Sequence, residues 1–117
     1  MSGMSTDVLV FLKACDQYST EENIALYKKL IEEEYKEFID ACEDKNNVEQ
    51  LDACMDMIWV ILGYCHMKKF DVVGAWNEVA SSNMSKIDPA TGKVTRREDG
   101  KILKPEGWKP PNFSRYV

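Results

Sequence analysis

Six carboxylates are set out in two short groups. Glu33, Glu34 and Glu37 fall within five residues, and Glu49, Asp52 and Asp56 follow one short break later. At about 100° per residue on a helix, Glu34 lies inside an apolar face made by Tyr27, Leu30, Ile31, Tyr35, Phe38 and Cys42. Glu37 borders that face and Glu33 stands one step further out. Glu49, Asp52 and Asp56 share a sector of about 60° on the next helix. A carboxylate aimed at a core is unfavourable unless it is paired, protonated or bound to metal. The plain alternative for the first group alone is a solvated acidic face, and the second group argues against it. Every donor is oxygen, with no Cys or His beside them, which favours Mg²⁺ or Mn²⁺ over zinc. Ions of this kind bridge to phosphates, so the chemistry to expect is attack of water on a phosphoanhydride. Paired carboxylates of glycosidase type would need an extended sugar cleft, for which the chain offers no sign.

Two antiparallel helices must position these groups. The spacing predicts a first helix over residues 6–17, capped by Ser5 or Thr6, and a second over 20–44, opened by a Ser19-x-x-Glu22 capping box. A third is expected over 48–67 behind an Asn47 cap, and a fourth over 72–82 behind Asp71. The third is apolar all round, the pattern of a central buried helix. The short turn at Lys45-Asn46-Asn47 makes helices two and three antiparallel neighbours, so their acids can face each other.

The 117 residues suit one core, and 44% hydrophobic with 30% charged residues describes a globular chain. No apolar run reaches the ~18 residues of a membrane span, and Met1 to Met4 lack the regions of a secretory signal. The four cysteines read as reduced core thiols, as in a cytoplasmic protein. A net charge of −5 argues against duplex nucleic acid as partner. The charge is uneven: residues 1–85 hold 7 basic and 16 acidic side chains, residues 86–117 hold 8 and 4. The expected division is a helical domain over 1–85 and a basic tail over 86–117, extended and mostly irregular. A weak hairpin signal lies at Glu98-Asp99-Gly100. His66, Trp59 and Trp76 read as structural side chains.

Glu33-Glu34-Tyr35-Lys36-Glu37 resembles the Glu-Glu-x-x-Glu signature of the all-α nucleoside triphosphate pyrophosphohydrolases. That superfamily includes MazG-like enzymes, dimeric dUTPases and phosphoribosyl-ATP pyrophosphohydrolases. Its second signature, Glu-x-x-Asp, is matched literally by Glu49-Gln50-Leu51-Asp52 and better in its surroundings by Asp56-Met57-Ile58-Trp59. The second register favours Asp52 and Asp56 over Glu49. Ser82-Asn83-Met84-Ser85-Lys86 and Gly100-Lys101-Ile102-Leu103-Lys104, followed by Trp108 and Pro110-Pro111, resemble the tail of the phosphoribosyl-ATP-pyrophosphohydrolase-like branch.

The resemblance implies an all-α, four-helix bundle-like subunit that splits a nucleoside triphosphate into monophosphate and pyrophosphate. It implies Mg²⁺ or Mn²⁺ held by Glu34, Glu37, Asp52 and Asp56, with Glu33 as base or outer ligand. Asn83 and Lys86 are the implied phosphate contacts. Lys101 and Lys104 are further candidates, with ordinary solvated lysines as the alternative. Candidate substrates are dUTP or dCTP, or dGTP as in some phage relatives; phosphoribosyl-ATP is less favoured. A homo-oligomer, dimer or tetramer, is expected, because three neighbouring helices leave part of the third uncovered. A non-catalytic helical module with a divalent-ion site is the alternative from another class.

Overall fold

The computed structural model describes residues 2–117. Four helices carry the chain: α1 (Ser2–Ala14), α2 (Glu21–Glu43), α3 (Asn47–Met67) and α4 (Val72–Met84). Two short strands follow, β1 (Ile87–Asp88) and β2 (Lys93–Val94), antiparallel with Ile87 opposite Val94. The class is all-α. Residues 2–72 form one compact unit and residues 73–116 a second.

In the first unit α1 starts earlier than expected. Ser5 does not cap it; Ser5 lies within the helix and is buried. Its carbonyl oxygen is 2.9 Å from His66 Nε2 and its Oγ 3.2 Å from the same atom. A carbonyl only accepts, so Nε2 donates, and His66 acts as the structural clasp between α3 and α1. Val8 and Leu12, one turn apart, bury against α3 together with Tyr27, Val60, Leu62 and Met67.

The cap of α2 is Thr20 rather than Ser19, and its side chain accepts from Asn23 N at 3.1 Å. Ser19 Oγ donates instead to the carbonyl of Met67, one of the unpaired acceptors at the end of α3. Asn46, one residue before the expected cap, accepts from Glu49 N at 3.1 Å to start α3. The first three helices end alike, through Asp16, Lys45 and Lys69, whose φ values are 54°, 54° and 61°. The amides of Gln17, Asn46 and Phe70 return to carbonyls five residues back, at Leu12, Ala41 and Cys65. This is the Schellman turn, made here without glycine.

Tyr27 sets the distance between α2 and α3. Its ring lies on Gly63, where a β-carbon would run into the ring carbons. Its hydroxyl donates to Gln17 Oε1 at 2.7 Å. Burial, then the Cys15 thiol, pushes the phenol up from its ordinary value. The apolar periphery is more open than the pattern implied. Tyr35 is 58% and Trp59 38% exposed, and Cys42 is exposed as well. Trp59 stacks edge-on with Phe11 at 5.6 Å rather than entering the core. The reason is coverage: within this unit only α1 and α2 pack on α3. The four cysteines are free thiols, with Cys54 and Cys65 half-buried and Cys15 exposed.

In the second unit, Trp76 is 49% exposed and no residue of α4 is buried, against the expectation of core. The chain after residue 104 runs along α4 through polar bonds. Trp108 Nε1 donates to Ser82 O at 3.0 Å, and Asn112 N to Glu78 Oε1 at 3.0 Å. The turn joining β1 to β2 is closed by Gly92 N to Asp88 O at 2.7 Å, with Gly92 at φ 69°. The Asp-Gly signal also finds its place: Arg96 bridges Ile102, and Arg97 pairs Asp99 at 2.7 Å across the turn.

Overpacking at a filled contact costs about 1–3 kcal/mol. Gly63→Ala should therefore lower the melting temperature of the protein by several degrees, and adding Tyr27→Ala should recover part of the difference between the two backgrounds. Strictly additive effects in thermal melts would refute the close-contact role of Gly63.

Candidate active site

The Tyr27–Gly63 contact also sets which acids meet. Glu34 lies two helical turns beyond Tyr27 on α2, and Asp56 two turns before Gly63 on α3. On neighbouring antiparallel helices both stand about 10 Å along the axis from that contact, and so at the same level. Glu34 is half-buried; its Oε2 is out of reach of solvent and has no hydrogen-bond partner. Burial, a hydrogen bond with Glu37, the Glu37 charge, and then Asp56 and Asp52 push the Glu34 carboxyl from 4.5 up to about 7. Asp56, also half-buried, is pushed up by burial, then by Asp52 and Glu37.

Glu37, Asp52 and Asp56 thus act on Glu34, and Asp52 and Glu37 on Asp56. Glu33 is exposed and is not among the groups that act on Glu34 or Asp56. Glu49 is exposed and lines a cavity of about 300 Å³ with Glu37, Asp40, Asp44 and Asp52. The acidic groove between α2 and α3 therefore continues to their turn. Sequence reasoning passed over Asp40 and Asp44, although Glu37, Asp40 and Asp44 follow the i, i+3, i+7 rule for one helix face.

The donor set fits a hard divalent cation in chemistry: oxygen only, with one buried carboxylate oxygen that no protein group satisfies. It is not a preformed cage, since among the described residues no three acidic, His or Cys side chains converge closely enough to hold an ion.

The implied phosphate contacts lie in the second unit. Lys86 Nζ donates to Asn83 Oδ1 at 3.0 Å. Lys86 and Lys104 both approach the Trp108 ring, at 5.1 and 4.6 Å from its centre. Lys101 does not join them at the ring; it lines a cavity of about 200 Å³ with Arg97 and Lys104.

An all-α subunit with acids on two antiparallel helices is compatible with the MazG-like class of nucleotide pyrophosphohydrolases, and the family match places the chain there. Within that class, residues 13–83 match the family described as phosphoribosyl-ATP pyrophosphohydrolase, and the chain belongs to it. The match covers both acidic helices and Asn83 but stops short of Lys86, Lys101 and Lys104. A search of curated proteins finds no match. Membership makes the chain a nucleotide pyrophosphohydrolase, a hydrolase of phosphoanhydride bonds. Among the described residues no helix is long and apolar enough to cross a membrane.

The raised Glu34 carboxyl sets a direction for stability against pH. Its folded pKa of about 7 lies above the ordinary 4.5. Between those values the fold binds more protons than the unfolded chain, so stability falls as pH rises through that window. With a chelator present, the melting temperature should drop between about pH 5 and about pH 8, and Glu34→Gln should flatten the slope. An unchanged slope in the variant would count against the crowded carboxylate.

Proposed function

We propose that the chain is a metal-dependent nucleoside triphosphate pyrophosphohydrolase that converts a (d)NTP to (d)NMP and pyrophosphate. The observation that carries this is Glu34: a half-buried carboxylate with an unsatisfied oxygen, pressed by three further acids and by no cation of the protein. Glu34, Glu37, Asp52 and Asp56 are the residues to hold Mg²⁺ or Mn²⁺. When bound, the ion supplies positive charge to this cluster and polarises phosphate oxygens. Glu33, exposed beside the cluster, takes the proton of the attacking water as general base. The water oxygen bonds to the α-phosphorus, the α–β bridging bond breaks, and pyrophosphate leaves with the bond's electron pair. Asn83 and Lys86 are the first candidates for holding phosphate oxygens, and Lys101 and Lys104 the next.

Candidate substrates are dGTP and dUTP or dCTP, and the family's name adds phosphoribosyl-ATP to them. Pyrophosphate release across these nucleotides with Mg²⁺ or Mn²⁺ tests the reading. Glu37→Gln and Asp56→Asn should each lower turnover by roughly a hundredfold while keeping the fold, and both should lose the rise in melting temperature that Mn²⁺ gives the parent. Full activity in either variant, or in excess chelator, would sink the proposal. No release from any nucleotide, with Mn²⁺ still raising the melting temperature, would leave a divalent-ion-binding module in its place.

The functional form is a homo-oligomer, dimer or tetramer. Leu51, Met55 and Ile58 follow one side of α3 at helical spacing and are 61%, 49% and 37% exposed. A continuous apolar strip of this kind marks an interface, and a closed two-fold assembly repeats the acidic site once per chain. Light scattering at micromolar concentration should give a multiple of 13.4 kDa, and Met55→Glu should shift it toward the monomer. A parent that is monomeric and active would refute the assembly.

A further inference from the structure

Spacing marks Trp59 as a structural side chain, yet its ring stays out of the core and is 38% exposed. Its place on α3 gives it another use. At about 100° per residue, the buried Ala53 and Val60 mark the side packed on α2, then come Asp56, Asp52 and Trp59 in turn. Trp59 stands about 20° from Asp52 and about 60° from Asp56. On its far side is Met55 of the exposed apolar strip. Residues three apart on a helix are surface neighbours, about 5–6 Å between β-carbons, so the indole adjoins Asp56.

The ring is braced, and the helix that braces it stops short of the acids. Phe11 of α1 meets the indole edge-on, with ring centres 5.6 Å apart and planes at 74°. Ser5 of the same helix binds His66, so α1 runs antiparallel to α3 along this seam. α1 ends at Ala14, about one turn beyond Phe11, whereas Asp52 lies about two turns beyond Trp59. Asp52 is exposed. A flat aromatic ring is thus held at the rim of an acidic site, with water beside it. The ligand surface that matches a flat ring is the face of a nucleobase. Stacking of this kind tolerates every base, but its strength varies with the base, and a bicyclic purine covers more of an indole than a pyrimidine does. In a nucleotide the sugar sets the base several ångströms from the α-phosphate, as Trp59 is set off from the carboxylates.

We propose that the Trp59 indole is the stacking platform for the base of the bound nucleotide, and that it tilts selection toward purines. Trp59 touches the base; Phe11 is a positioning residue that holds the indole in its orientation. The placing of the phosphates at the acids rests on the function proposed above, which leaves the choice of base open.

The test is titration calorimetry with dGMP and dCMP in the presence of Mn²⁺; neither ligand has a phosphoanhydride to split. The parent should bind dGMP about tenfold more tightly than dCMP. Trp59→Leu should weaken dGMP about tenfold and bring the two ligands within about twofold of each other, while keeping the rise in melting temperature that Mn²⁺ gives. Phe11→Leu should narrow the preference to about threefold, a ratio that a loss of packing alone would not move. Trp76→Phe, on α4, should change either affinity less than about twofold. Should Trp59→Leu fail to fold, Trp59→Phe decides: it should keep dGMP binding within about fivefold and lose the quenching of indole fluorescence that dGMP causes in the parent. A parent that binds neither ligand or both equally, a Trp59→Leu protein that keeps the preference, or quenching that survives in Trp59→Phe overturns the platform. So does a lower mass for Trp59→Leu than for the parent in light scattering, which would assign the ring to a contact between subunits. Pyrophosphate release from dGTP and dCTP, measured separately, keeps the two readings apart. Release at equal kcat/KM from both removes the platform alone, and Trp59-dependent binding of dGMP without release from any nucleotide removes the catalytic reading alone.

Discussion

The contact of Tyr27 with Gly63 is the constraint on which the rest depends. There the ring of Tyr27 lies directly on the bare backbone of Gly63, and this sets the level of α2 against α3 along the axis. Two turns away that level brings Glu34 to Asp56, with Glu37 and Asp52 beside them. The apolar end of the helix pair thereby imposes a like-charge encounter at the acidic end. Burial of Tyr27, Val60, Leu62 and Met67 with Val8 and Leu12 supplies the favourable term, and the repulsion is what remains unrelieved in the protein alone.

A proton and a divalent cation are alternative answers to that repulsion. The raised Glu34 and Asp56 carboxyls show the first answer: burial and the neighbouring acids make each harder to ionise than an ordinary carboxyl. A cation of charge two would offset the same repulsion with opposite charge.

Much of this was legible from spacing alone. Helix number, the α2–α3 hairpin and the level of the acids followed from 3.6-residue periodicity. The breaks were less legible, because Asp16, Lys45 and Lys69 take the left-handed turn where glycine is the usual signal. Each cap accordingly shifted by a residue or more: Thr20 for Ser19, Asn46 for Asn47, and Ser5 inside its helix rather than before it. Burial was the other gap. Trp59, Tyr35 and Trp76 belong to apolar patterns yet stay exposed, since a pattern tells which side of a helix is apolar but not how many neighbours arrive to cover it. The pairing of Lys86 and Lys104 on Trp108 could not be read at all, because it joins residues far apart in the chain through a tail without periodicity.

The second unit has no buried side chain of its own among residues 73–116. Its order comes from hydrogen bonds between the tail and α4 and from ring contacts, most of them open to water. Segments built this way open with free energies near the low end of a protein's range, so their amides exchange with solvent far sooner than those around Tyr27. A guest held at Lys86 would therefore do more than occupy a surface. It would slow that exchange, and order gained by the tail would be counted against the guest's affinity.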